Sequence, residues 1–227
     1  MSKVNLYKLV PSEIMKTFDN YKILSVRYGQ YRSMRAKESI DASGEPVPWY
    51  TYPAIEYLKQ MDLKDKTIFE YGAGGSTRFF AKRCRRLVSV EDDKSWYDKV
   101  NALLPTNAKC QYIKERLEYV NYLNTVTDKI DIIAIDGKYR MACAKESVKR
   151  IADDGFIILD NSDHNQKTSA FLRSEGLIEV DMSGFTPING FTCVTSFFFK
   201  RGVQLKPLYE KHPMCPIGGI EVEEAVE

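Results

Sequence analysis

From Thr67 onward, short apolar runs alternate with longer segments of mixed polarity. The apolar runs are TIFEY (Thr67–Tyr71), LVSVE (Leu87–Glu91), a stretch from Cys110 to Lys114, IDIIAID (Ile130–Asp136) and FIILD (Phe156–Asp160). Runs that stay apolar without alternating predict strands buried on both faces. The segments between them predict helices over Ser76–Arg83, Lys94–Leu104, Arg116–Val126, Met141–Ala152 and Lys167–Glu175, the last stopping at Gly176. Strand–helix alternation of this kind implies a parallel sheet wound on both sides. The pattern changes at the end: Leu177–Met182 and Phe191–Lys200 (FTCVTSFFFK) are two strands with only a loop between them. The fold class expected is therefore α/β: a doubly wound, Rossmann-like, mainly parallel seven-stranded sheet with a terminal antiparallel strand hairpin.

Residues 1–48 are polar and mixed, with a short helix expected over Ser12–Ile23 and Ser12 as its N-cap. DASGEPVP (Asp41–Pro48) has loop chemistry, and TYPAIEYLKQM then predicts a helix with Pro53 in its first turn. The organisation expected is an N-terminal helical segment (1–48), a core domain (49–206) and an irregular C-terminal tail (207–227). A chain of 227 residues is long enough for one such domain. Lys+Arg 33 against Asp+Glu 31 is close to balance, which calls for neither a nucleic-acid partner nor an anionic membrane. The five cysteines are scattered without C-x-x-C spacing, so a reducing cytoplasmic location is the simplest expectation. MSKVNLYKLVPSEIMK lacks the apolar run of a signal peptide, and no apolar segment is long enough to span a bilayer.

The stretch EYGAGGST (Glu70–Thr77) places three glycines in four positions at the end of a predicted strand. Glycine tolerates positive φ and lets a ligand approach the backbone, so this is a candidate binding loop beyond a strand's carboxyl end. A phosphate loop would need a Lys after the glycines, and none stands at that spacing. A dinucleotide loop fits Gly72 and Gly74, but Thr77 occupies the third glycine position. Glu70 would repel a pyrophosphate and attract an ammonium group, directly or through water.

E-x-G-x-G-x-S after a strand resembles motif I of class I S-adenosylmethionine-dependent methyltransferases. The resemblance implies that Glu70, Gly72, Ala73, Gly74 and Ser76 cradle the methionine part of S-adenosyl-L-methionine. Glu91, 19 residues after Gly72 at the end of the second strand, would hold the ribose hydroxyls with Asp92 beside it. Asp136, Asp160 and Asn161 end the fourth and fifth strands on the same edge of the sheet. This second set resembles the catechol and caffeoyl-CoA type of O-methyltransferase, which implies that Asp136, Asp160 and Asn161 bind a divalent cation such as Mg²⁺. The D-G-K-Y-R sequence departs from that subfamily, which commonly carries a Lys where Tyr139 stands. The competing reading is an Asp capping the next helix and an Asp-Asn turn.

Methyl transfer to a hydroxyl requires that the hydroxyl lose its proton, to a metal-assisted path or to a base. The base candidates are Asp136, His164 and Lys138; a lone loop histidine is also commonly incidental. Arg140 could hold an anionic acceptor, and PWYTYP (Pro48–Pro53) offers Tyr50 and Tyr52 as a lid, or as filling for a seam. Segments such as SVEDDKSWY and ILDN also resemble bacterial surface-glycan methyltransferases, which implies a small-molecule, sugar or polysaccharide-precursor acceptor. The rival readings are an NAD-binding Rossmann protein and a non-catalytic or degenerate nucleotide-binding partner subunit.

Overall fold

A computed structural model describes residues 10–222. Seven strands form one sheet: β1 (Thr67–Tyr71), β2 (Arg86–Glu91), β3 (Ala108–Tyr112), β4 (Ile130–Ile135), β5 (Ile151–Asp160), β6 (Ile178–Phe185) and β7 (Thr192–Phe199). Their order is β3-β2-β1-β4-β5-β7-β6. β1 to β5 pair in parallel, and β7 lies antiparallel between β5 and β6. This is the doubly wound, Rossmann-like sheet with an antiparallel end that the hydrophobic pattern predicts. The strand order reverses between β1 and β4, which places a crevice at their carboxyl ends.

Eight α-helices accompany the sheet among the described residues: α1 (Ser12–Lys22), α2 (Gln30–Ala36), α3 (Tyr52–Lys59), α4 (Gly75–Ala81), α5 (Lys94–Asn101), α6 (Arg116–Asn121), α7 (Arg140–Arg150) and α8 (Gln166–Ser174). Successive strand residues point to opposite faces. Ile68, Ile132, Ile158 and Phe197 therefore join a core under α3 and α4 with Tyr50, Leu58 and Phe79. Phe69, Ile133, Ile157 and Phe198 join a second core with Tyr119, Leu123, Cys143 and Leu172. Both layers are fully covered, which is why these strands read as continuous apolar runs.

Several boundaries differ from the pattern. The segment after α1 continues as a π-helical turn, Ile23–Arg27, followed by α2, where the mixed polarity of residues 1–48 had no clear period. Pro11, not Ser12, holds the N-cap position of α1; the Ser12 hydroxyl bonds Glu13 instead. β5 begins at Ile151, earlier than the apolar run, because Ile151 pairs with Ile130 before a register shift. Gly155 permits it: a Cβ there would lie 2.5 Å from the Asp131 carbonyl oxygen. Residues 200–222 contain no helix or strand longer than a single bridge, Met61 with Pro207. Residues 1–9 of the expected N-terminal segment and 223–227 of the expected tail lie outside the described residues. Among the described residues no helix is long and apolar enough to cross a membrane.

Candidate active site

The carboxyl ends of β1, β2, β4 and β5 open onto a cavity of about 820 Å³. Gly72, Ala73, Gly74, Ser76, Glu91, Asp92, Asp136, Lys138, Asp160 and Asn161 all line it, so residues spread over nearly a hundred positions converge there.

Gly72 has φ 90°, and a Cβ on it would lie 2.9 Å from the Gly137 amide nitrogen. No L side chain fits that position, so glycine lets the β1 and β4 loops touch across the crevice. Glu70 braces the loop from beneath. Its Oε2 accepts from the Thr77 hydroxyl at 2.5 Å and the Ser89 hydroxyl at 3.0 Å, while Thr77 Oγ1 accepts from the Gly74 amide at 2.7 Å. Glu70 is fully buried and does not reach the cavity wall, so direct contact with a cofactor ammonium group is not open to it. Its Oε1 is buried without a partner among the described residues. Burial pushes the carboxyl up to about 7, with the nearby hydroxyls of Ser76, Thr77 and Ser89 opposing.

Glu91 binds the loop from the side. Its Oε2 accepts from the Ala73 amide at 2.9 Å, and its Oε1 from the Asp92 and Asp93 amides at 2.9 and 2.8 Å. A carboxylate has roughly four acceptor sites, so one remains for a ligand in the cavity. Burial raises its pKa, with the three amide bonds opposing.

The glycine loop, its braced underside and a carboxylate with a spare acceptor suit S-adenosylmethionine. The metal expectation fares differently. Arg140 Nη2 donates to the Asp136 carbonyl and Oδ1, each at 3.2 Å, and to Asn161 Oδ1 at 3.4 Å. Nη1 donates to the Asp160 carbonyl, and Nε to the Gly137 carbonyl at 3.0 Å. The Asp160 carboxylate accepts from the Thr195 hydroxyl at 2.6 Å. The three predicted metal ligands are thus already tied, and a guanidinium stands among them as the local cation. Among the described residues no group of three or more His, Cys, Asp or Glu is placed to hold a metal. The donor set does not fit a divalent ion. The same bonds overturn the expectation that Arg140 binds the acceptor: its fork is spent fastening β4 to β5, and it does not line the cavity.

Asp136 keeps about a quarter of its side-chain surface, and that surface faces the cavity. Its pKa is raised, first by burial and then by the Asp160 carboxylate, with Arg140 opposing. Asp160 is pushed up to about 6, chiefly by burial, with the Thr195 bond opposing.

Three further expectations are corrected. Lys138 reaches the cavity but pairs with Asp92, which raises its pKa above the usual lysine value and keeps it protonated, the wrong state for a base. His164 is exposed, lies near Asp163 at 3.6 Å and does not line the cavity. Tyr50 and Tyr52 form no lid: both are buried in the core, and Tyr52 packs on Tyr28 with ring centroids 4.4 Å apart. Of the aromatics in PWYTYP, Trp49 is the one that lines the cavity. Trp96 lines it too, with its Nε1 donating to the Ala73 carbonyl and its ring 3.6 Å from where a Gly74 Cβ would stand. Lys37, Arg78, Lys99 and Asn189 also line the cavity and carried no sequence signal of their own.

No protein-family model and no curated protein matches the sequence. Solved structures do match. A precorrin 8w decarboxylase from Methanobacterium thermoautotrophicum is 16% identical, with a TM-score of 0.50 over 72% of this chain and 97% of that one. A cofactor-bound protein from MTB is 14% identical, with a TM-score of 0.52 over 60% of this chain and 73% of that one. The N-methyltransferase NodS from Bradyrhizobium japonicum is 15% identical, with a TM-score of 0.48 over 66% and 92%. For the first two, at these identities, the likeness is one of fold.

Proposed function

We propose that the chain is an S-adenosylmethionine-dependent methyltransferase acting on an oxygen of a small molecule or a sugar or glycan precursor. The observation that carries the reading is the glycine loop clasped by Glu91 at the β1/β4 switch point, over a cavity large enough for cofactor and acceptor together. The loop amides and Ser76 would hold the methionine part, and the free acceptor site of Glu91 a ribose hydroxyl. The bound cofactor supplies an electrophilic methyl group on a sulfonium.

The chain's own residues then have three tasks. The walls made by Trp49 and Trp96 exclude water and orient the acceptor, since in-line displacement demands alignment with the departing sulfur. Of the acids at the strand ends, Asp136 keeps the most side-chain surface toward the cavity, and its Oδ takes the proton of the acceptor hydroxyl. Its raised pKa brings it nearer the operating pH of a general base, a role typically worth about 10²–10⁴-fold. Arg140 fixes that carboxylate and balances its charge, which a metal would otherwise do. Thr77, filling the place of a dinucleotide loop's third glycine with a hydroxyl bonded to Glu70 and Gly74, speaks against the NAD reading.

Calorimetry with S-adenosylhomocysteine, NAD and ATP tests the reading. Only the first should bind, and Glu91→Ala should weaken it at least tenfold, about 1.4 kcal/mol. Equal affinity in that variant rejects the assignment of Glu91, and tighter binding of NAD rejects the function.

A further inference from the structure

The cavity's charges divide into spent and unspent. At the strand ends, Glu91 is bonded by three amides, Asp92 by Lys138, Asp136 by Arg140 and Asp160 by Thr195. The wall farther out, made by α4, α5 and the segment before Val47, contributes Arg78, Lys99 and Lys37.

Arg78 is unusual within this molecule. Four arginines are half-buried: Arg78, Arg83, Arg140 and Arg150. Arg83 donates to the Phe79 carbonyl and lies 3.9 Å over the Phe79 ring, Arg140 has its fork of carbonyls and carboxylate, and Arg150 donates to the Val126 carbonyl. Among the described residues the Arg78 guanidinium alone of the four has no hydrogen-bond acceptor and no carboxylate partner. Half-burying a guanidinium costs hydration and side-chain freedom that no bond here returns.

The local packing explains how it is held at the cavity. Gly75, Arg78 and Lys82 share one face of α4. On that face a Cβ at Gly75 would meet the Val47 and Ser39 carbonyl oxygens at 2.4 and 3.2 Å, and Lys82 pairs with Glu45. The 39–47 segment therefore lies along α4, and Lys37, just before it, lines the same cavity as Arg78. From the other side, Lys99 sits 5.7 Å over the Trp96 ring. Glu38 and Asp93 are the acids of this wall; Glu38 is exposed, and Asp93 accepts from the Trp96 amide at 2.8 Å.

We infer that this outer wall is an oxyanion receptor: the acceptor carries a phosphate or carboxylate that docks on Arg78, with Lys37 and Lys99 flanking it and its ring body between Trp49 and Trp96. The inference rests on the methyl-transfer reading, and it gives the acceptor's charged end a place that Lys138 and Arg140, both already engaged, do not provide. A planar fork is suited to either group in bidentate fashion. The neighbouring lysines add charge without fixing geometry.

Calorimetric titration of the full chain with glucose 1-phosphate, glucuronate and neutral glucose, each with and without saturating S-adenosylhomocysteine, tests it. One or both anionic probes should bind while glucose does not, and which one binds identifies the anion. Arg78→Met should lose about tenfold or more of that affinity, the scale of one charge-assisted bond. Arg78→Lys should lose part of it, and both variants should keep the wild-type affinity for S-adenosylhomocysteine and the wild-type melting temperature. If S-adenosylhomocysteine fails to bind the wild type, the methyl-transfer reading falls, and anion binding sensitive to Arg78 still supports the receptor. Anionic probes that bind no better than glucose, or as well to Arg78→Met as to the wild type, overturn the inference.

Discussion

Replacing Glu70 by glutamine should make the protein more stable at alkaline pH and remove a large part of its pH dependence. The carboxyl is fully buried under the glycine loop, and burial raises its pKa from 4.5 to about 7. A raised acid is protonated in the folded chain while the unfolded chain has already ionised. Its contribution is fully present below pH 4.5 and is lost as pH rises to 7, because unfolding then releases a proton. At about 1.4 kcal/mol per pH unit, the interval from 4.5 to about 7 amounts to about 3 kcal/mol. Glutamine removes the titration but keeps an oxygen that accepts from Thr77 and Ser89, whose bonds to Oε2 hold the loop. Urea unfolding of wild type and variant from pH 5 to 8.5 measures the effect, and taking their difference cancels every other titrating group. The wild type should weaken relative to Glu70→Gln by about 2–3 kcal/mol across that range, allowing for the part already lost at pH 5. A constant difference would show that Glu70 is ionised throughout, and the account of a neutral brace under the loop would fail.

Two further outcomes follow from the geometry. Chelator should leave methyl transfer intact, and Mn²⁺ titrated into the wild type should give no binding heat, because Arg140 already occupies the space among Asp136, Asp160 and Asn161; stoichiometric binding abolished by Asp136→Asn would refute this. Gly137→Ala should cost about 1–3 kcal/mol by overpacking, since its Cβ would stand 2.1 Å from the Tyr119 hydroxyl and 2.9 Å from the Gly72 amide nitrogen. It should also weaken S-adenosylhomocysteine, and an unchanged melting temperature would show that the two loops are not in the contact described.

What the amino-acid pattern determined by itself is the scaffold. IDIIAID and FIILD are apolar throughout because both sheet faces are covered, and the loss of intervening helices after Gly176 announced the antiparallel end. The glycine loop and Glu91 were also legible, since topology alone brings the carboxyl ends of neighbouring parallel strands to one edge. The tertiary structure decided which of the charges gathered there are free. Arg140 looked available for a substrate and Asp136, Asp160 and Asn161 for a metal until the fold set Arg140 against all three, four positions from Asp136 but 20 and 21 from Asp160 and Asn161. Lys138 looked like a base until it met Asp92 across the crevice, and Arg78 carried no signal of its own in the sequence. Periodicity reports which face a residue takes, but an ion pair depends on distances between loops of different strands. Those distances are set by packing such as the contact between Gly72 and Gly137, and no local pattern encodes them.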